Sequence, residues 1–314
     1  MRIVYMGTPD FAVYPLKSII EAGHKVVLVI TQPDKAKGRS NKLVPTPVKE
    51  AATEYGIEVY QPEKIKEESA VNKIKKCKPD AIVVAAYGQI LPESILNIPP
   101  LGCINIHASL LPKYRGAAPI EWSIINGEDK TGVTTMYMEK GLDTGDMIEK
   151  CEVMIEPYDT GETLHDKLAK AGAGLIVSTL KALEDKTAVR TKQEDSESSY
   201  AHMLTRAMGK LDFDRPAEVI ERLIRGLIPW PCAYTVIGGK TVKLLKARVA
   251  DTDNPVFKKG KPGEIIEVTK KNFTVKCGEG ALTILFLLPE GKKPMDAAAY
   301  LNGNKLTVGM HVGE

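Results

Sequence analysis

The chain has 314 residues, of which 43% are hydrophobic and 26% charged, and 43 Lys+Arg against 40 Asp+Glu leave a formal net charge of +3. A chain of this length and composition fits about two domains with buried cores, which excludes a disordered or fibrous protein. No run of about 18 apolar residues exists to span a membrane, and Met1-Arg2-Ile3-Val4-Tyr5 enters a strand pattern without the layout of a secretory signal, so a cytoplasmic protein is expected.

In chain order, Arg2–Gly7 reads as an apolar strand and residues 13–22 as a helix ending at Gly23. Lys25–Thr31 and Asp80–Tyr87 follow as further strands. Uninterrupted Val/Ile runs of this kind mark strands covered on both faces, as in parallel sheets. Separated by helical stretches, they spell βαβ units, and hence a doubly wound, mostly parallel, Rossmann-like α/β domain. Between the second strand and the next helix, residues 35–49 carry Lys35, Lys37, Arg39, Lys42 and Lys49 and no acid. Their Gly and Pro content predicts a long loop, and long loops are usually functional or disordered.

Cys103–Ser109 alternates, so strand geometry puts Ile104 and Ile106 on one face and Asn105 and His107 on the other. The chain then breaks at Ser109-Leu110-Leu111-Pro112. In open α/β sheets, ligands bind beyond the carboxyl ends of the strands, where this pair would lie. Strand-like runs at 132–138 and 147–155 flank Gly141-Leu142-Asp143-Thr144-Gly145-Asp146. On spacing alone Asp143 either bonds its own turn or reaches His107 and orients the ring. A long helix follows Thr160, with Leu164, Leu168, Ala171 and Leu175 at helical spacing.

Residues 194–199 contain no apolar side chain and read as an exposed linker. Asp214–Leu227 is predicted helical, striped by Val219, Ile220, Leu223, Ile224 and Leu227, with Glu221 and Arg225 as an i,i+4 pair. Gly238-Gly239 between two β-rich runs signals a two-residue hairpin. Short strands with Gly turns continue to the end, which predicts a small OB-like β-barrel. The expected division is a catalytic domain at 1–189, a linker at 190–206 and a barrel domain at 207–314.

Charge is uneven. Residues 190–314 hold 20 Lys+Arg against 15 Asp+Glu, which places the basic excess in the second half, including Lys243, Lys246, Arg248, Lys258, Lys259 and Lys261. The five cysteines, Cys77, Cys103, Cys151, Cys232 and Cys277, are odd in number and form no C-x-x-C pair. Reduced, mostly buried thiols are expected, with no disulfide framework or zinc site. None of the five histidines stands at ligand spacing to another, so no metal is expected. Gly7-Thr8-Pro9-Asp10 lacks the glycines of a dinucleotide fingerprint.

The stretch Asn105-Ile106-His107-Ala108-Ser109-Leu110-Leu111-Pro112-Lys113-Tyr114-Arg115-Gly116, together with residues 141–146, closely resembles the formyltetrahydrofolate-dependent transformylase family. The likeness extends through Met6–Phe11, Gly116–Ile120, Thr131–Thr134 and the barrel-like part. The resemblance implies that Asn105, His107 and Asp143 are catalytic. It places a folate co-substrate, 10-formyltetrahydrofolate, along Ser109, Leu110, Leu111 and Pro112, with its pterin near loop 85–91. It implies initiator methionyl-tRNA as the acceptor, with Arg39 and Lys42 of the basic insertion touching the tRNA. A monomer is expected. An amino sugar nucleotide as acceptor and a catalytically silent nucleic-acid binder are the competing readings.

Overall fold

A computed structural model describes residues 1–37, 42–250 and 260–313. Two compact units emerge: the first takes Met1–Pro119, Lys130–Met154 and His165–Ala201, and the second takes Ile120–Asp129, Ile155–Leu164 and the chain from His202 onward.

The elements run β1 (Arg2–Gly7), α1 (Val13–Glu21), β2 (Lys25–Ile30), β3 (Lys35–Lys37), β4 (Lys42–Val44), α2 (Pro47–Glu54), β5 (Val59–Tyr60), α3 (Glu68–Cys77), β6 (Ala81–Ala85), α4 (Glu93–Leu96), β7 (Cys103–His107), β8 (Arg115–Gly116), α5 (Pro119–Ile125), β9 (Lys130–Tyr137), β10 (Met147–Met154) and α6 (Gly161–Glu184). The large sheet has the order β10-β9-β7-β6-β1-β2-β5. Pairing is parallel from β7 across to β5 and antiparallel for β7–β9 and β9–β10. The mostly parallel, doubly wound sheet expected from the apolar runs is therefore present.

Consecutive burial along β1 and β6 follows from cover on both faces. Val4, Met6, Leu28, Ile30, Ile82, Val84 and Cys103 share one cluster with Ala70, Val71 and Ile74 of α3. On the opposite face Gly172 of α6 lies so close to Ile106 that a Cβ would come within 3.0 Å of its Cγ2. Helix α6 therefore covers the Ile104/Ile106 side of β7, and Asn105 and His107 point away from it. Its buried stripe is Leu164, Leu168, Ala169, Ala173, Ile176, Leu180 and Leu183. Ala171 and Leu175, expected in that stripe, are half-buried. The 3.6-residue period carries the buried line past them.

The basic segment 35–49 is not the irregular loop expected. Its arms pair as an antiparallel ribbon, β3 with β4, and Pro47 opens α2 behind Thr46, whose side chain caps Lys49 N at 3.2 Å. Lys49 is tied to Asp34 at 2.6 Å. That bond and one from Gln61 hold the Asp34 carboxyl below its usual range. Lys49 thus leaves the set of cations available to a partner. Arg39 lies outside the described residues.

The second unit contains α7 (Ala217–Gly226), β12 (Ala233–Ile237), β13 (Lys240–Val249), β14 (Ile265–Val268), β15 (Phe273–Lys276), β16 (Ala281–Pro289), β17 (Met295–Asp296) and α8 (Ala297–Gly303), counting a short β11 (Tyr200–Ala201) in the first unit. Strands pair antiparallel in the order β12-β13-β16-β15-β14. Gly238 and Gly239 make the β12–β13 turn at φ of 56° and 74°, the left-handed pair a type I′ hairpin needs. Val312 bridges to Ile237 of β12 and His311 bridges to Glu264 beside β14. This terminal segment joins the two sheet edges and closes the barrel. Its core gathers Phe273, Leu282, Ile284, Leu287, Val242 and Leu244 with Ile220 and Ile224 of α7. The helix begins at Ala217, just after Pro216, rather than at Asp214. The Glu221–Arg225 pair forms at 2.9 Å.

All five cysteines are free: Cys103, Cys232 and Cys277 are buried, Cys77 and Cys151 half-buried. Burial pushes the thiols of Cys103 and Cys277 up to about 12. At pH 8 only about one in 10⁴ of such thiols is the reactive thiolate. Iodoacetamide at pH 8 is therefore expected to leave Cys103 and Cys277 unmodified until the chain is unfolded. Peptide mass spectrometry checks this, and prompt labelling of either in the folded protein would contradict the burial.

Candidate active site

Strand β7 carries Asn105 and His107 to the carboxyl edge of the parallel sheet. The 141–146 turn, between β9 and β10, brings Asp143 to the same place. Asn105 Nδ2 donates to Asp143 Oδ1 at 3.5 Å, and His107 Nδ1 faces Asp143 Oδ2 at 3.7 Å. The backbone N–H of Gly116 donates to the same Oδ2 at 2.9 Å. Three residues separated by 38 positions in the chain thus converge. The open choice for Asp143 is resolved: it reaches beyond its own turn.

The site is nearly dry, with the His107 side chain 6% exposed and that of Asp143 15%. His107 Nε2 sits 2.8 Å from the carbonyl of Tyr114. A carbonyl only accepts, so Nε2 carries a proton and Nδ1 is the ring atom turned to the carboxylate. Asp143 itself adopts φ 53°, a left-handed backbone unusual for a non-glycine residue. The arrangement offers a neutral amide donor beside an imidazole–carboxylate pair whose two side chains are largely buried.

In the Ser109–Pro112 loop, Ser109 is fully buried. Its hydroxyl donates to Lys113 O at 2.6 Å, and its carbonyl accepts from Thr134 Oγ1 at 2.7 Å. Leu111 is core, clustered with Met136 and Met147. Its N–H donates to Thr134 Oγ1 at 3.2 Å, and Lys150 Nζ donates to its carbonyl. Burial lowers the Lys150 ammonium below its ordinary range. Leu110 and Pro112 are half-buried. What this loop can present to a ligand is therefore its backbone and the faces of Leu110 and Pro112. Loop 85–91 is fixed at Tyr87, whose carbonyl accepts from Thr8 Oγ1 at 2.9 Å and Gln32 Nε2 at 3.2 Å. It leaves Ile90 85% exposed at its tip. Lys42 lies in β4, opposite Lys37. Among the described residues, no group of three or more His, Cys, Asp or Glu side chains could hold a metal ion, and no helix is long and apolar enough to cross a membrane.

Sequence reasoning missed a second ring of residues. Gln193 is buried, and its Nε2 donates to the carbonyls of both Asp143 and Gly145 at 2.8 Å. Arg115, 2% exposed, donates from Nε to Gln193 Oε1 at 3.0 Å and from Nη2 to Asp195 at 2.9 Å. The stretch expected as an exposed linker is exposed at 194–197 and is anchored on either side. Thr191 bridges to Met147, and β11 pairs in parallel with β8. Arg115 and Gly116 stand in the motif that suggested the site, whereas Gln193, a polar residue in polar surroundings, carries no pattern signal.

Comparisons with known proteins identify the family. Residues 1–180 match the formyl transferase family, and residues 203–305 match the formyl transferase C-terminal domain. Methionyl-tRNA formyltransferases of Lachnospira eligens and Alkaliphilus metalliredigens are 51% and 52% identical, covering all of this chain and 100% and 99% of theirs. Among solved structures, the sugar 3N-formyl transferase WlaRD is similar with a TM-score of 0.65 at 21% identity, over 93% of this chain and 99% of that one. HypX from Aquifex aeolicus, solved with tetrahydrofolic acid, is similar at 0.62 and 17% identity, over 99% of this chain and 51% of that one. The chain belongs to the formyl transferase family.

Proposed function

We propose that this enzyme transfers the formyl group of 10-formyltetrahydrofolate to the α-amino group of initiator methionyl-tRNA, acting as a cytoplasmic monomer. The observation that carries the choice of acceptor is the identity of about half, over the full length of both chains, to relatives named for that reaction. The sugar-acting neighbours share the fold at 21% identity, which says nothing about acceptor.

The donor set fits an acyl transfer between two nitrogens. As the amine attacks the formyl carbon, negative charge grows on the formyl oxygen. Asn105 Nδ2 donates to that oxygen without titrating. The His107–Asp143 pair handles protons: Nδ1 of the ring faces the carboxylate, so a proton taken from the attacking ammonium is held against a negative charge. The departing nitrogen receives a proton in return. The Ser109–Pro112 loop lines the folate through its backbone, and Ile90 offers an exposed apolar contact to the pterin. No step in this scheme calls on a metal.

For the tRNA, Arg39 and Lys42 of the basic segment 35–49 contact the acceptor end. The barrel domain from residue 207 adds phosphate contacts through Lys246 and Arg248, both exposed on one side of β13. The test is direct: purified protein is incubated with 10-formyltetrahydrofolate and either methionyl-tRNA or an amino sugar nucleotide. Formyl-methionyl-tRNA is the expected product, and formylation of the sugar alone would overturn the assignment. Replacing Arg39 with Ala is expected to weaken tRNA binding and reduce the slope of log affinity against log salt by about 1. An unchanged slope in a salt titration would remove Arg39 from the interface.

A further inference from the structure

The 193–201 segment holds the two stretches of backbone that carry the catalytic pair's surroundings, the Asp143 turn and residues 114–117. Gln193 holds the backbone of the Asp143 turn by two N–H donations. Six residues on, Ser199 Oγ accepts from the N–H of Tyr114 at 2.9 Å, and Ser199 O accepts from the N–H of Arg115 at 2.8 Å. Tyr114 is the residue whose carbonyl fixes His107. Ala201 O accepts from Ala117 N at 2.9 Å, which secures Gly116, the residue that donates to Asp143 Oδ2. A Cβ at Gly116 would stand 2.8 Å from Ala201 O, and Gly116 has φ 113°. Segment and motif are thus in close backbone contact at that point.

The Asp143 turn has reason to need such a hold. A left-handed aspartate costs on the order of 1 kcal/mol or more and persists only where its surroundings fix it. Gly141 and Gly145 on either side add backbone freedom. A buried primary amide aimed at two carbonyls, and itself locked by a buried guanidinium, supplies the fixation.

We infer that Gln193, locked by Arg115, is a positioning residue of the reaction: it sets the Asp143 turn so that the carboxylate meets His107 and Asn105. This rests on the catalytic assignment proposed above. A misplacement of about 1 Å at such a group can cost roughly 10²-fold in rate.

The test uses the full-length enzyme with Gln193→Met and Gln193→Glu, each close to glutamine in length. Methionine loses every hydrogen bond. Glutamate keeps an acceptor for Arg115, so it retains the lock, but it cannot donate to the two carbonyls. Both variants are expected to lose kcat by roughly 10- to 100-fold, with KM for either substrate changed less than about threefold. Kinetics of each variant are measured well below its own melting temperature, on protein whose circular dichroism matches wild type, which separates loss of positioning from loss of fold. If Gln193→Met does not fold, Gln193→Glu decides the matter alone. A double variant, Arg115→Met with Gln193→Met, should lose no more kcat than Gln193→Met, because Arg115 acts through Gln193. Gln193→Glu with kcat within about twofold of wild type would overturn the inference. Asn105→Ala run in parallel keeps the two readings apart. If Asn105→Ala is inactive while Gln193→Glu is active, only the positioning role falls. If Asn105→Ala is fully active, the catalytic assignment falls.

Discussion

Replacing Asn105 with Ala is expected to lower kcat by about 10²- to 10³-fold, equivalent to about 3–4 kcal/mol of lost transition-state stabilisation. The reason lies in where the amide sits. Asn105 is on a strand with buried neighbours on both sides, so its position is fixed before substrate arrives. Its amide is already turned toward Asp143 at 3.5 Å, a long contact that leaves the donor free to shift to a new acceptor. Alanine removes the donor and leaves the strand intact, so the melting temperature should barely move. His107→Ala should be at least as damaging, because it removes the proton carrier beside the Asp143 carboxylate. Steady-state kinetics with methionyl-tRNA settles both. If Asn105→Ala kept kcat within threefold, the amide would have no role in charge stabilisation.

Much of this site was legible in the sequence because its first parts are local. Strand alternation alone turns Asn105 and His107 the same way, and the chain break at Ser109 puts them at a sheet edge. The parallel core was legible for the same reason: KVVLVI and AIVVA are continuous apolar runs, and only a strand covered twice wants them. Asp143 was different. Its turn sits between two Gly residues and has an ordinary local explanation, and only the antiparallel pairing of β9 with both β7 and β10 delivers it to His107. Gln193 was not legible at all. Periodicity reports burial of apolar groups, and a single buried amide in a stretch such as Thr191-Lys192-Gln193-Glu194-Asp195 leaves no period to read. The same blind spot turned an anchored segment into an apparent linker. The basic ribbon shows the converse: Gly and Pro predicted a loop, yet Thr46 and Pro47 are start signals for a helix, and Lys49 belongs to that helix.

A pair of glycine replacements should separate two meanings of one residue type. Gly132 lies in β9 opposite Glu152 of β10. A Cβ there would come within 2.1 Å of the Cys151 carbonyl oxygen and 2.5 Å of Leu110 Cδ2. The first neighbour is backbone in a paired strand and cannot rotate aside. The strands must part, which sacrifices ladder hydrogen bonds, so Gly132→Ala is expected to destabilise by about 3 kcal/mol, the upper end for overpacking. The second neighbour belongs to the proposed folate loop, so the damage should also appear as a raised KM for 10-formyltetrahydrofolate. Gly174 is the opposite case. It is an exposed residue inside α6, and a Cβ there would meet nothing within 4 Å. Gly174→Ala should stabilise by about 0.5–1 kcal/mol, because alanine gives up less backbone entropy on entering a helix. Denaturant titration of the two variants reads both signs. A Gly132→Ala protein as stable as wild type would mean that β9 and β10 lie farther apart than this register requires. A loss of stability in Gly174→Ala would mean that α6 has a close neighbour at that position.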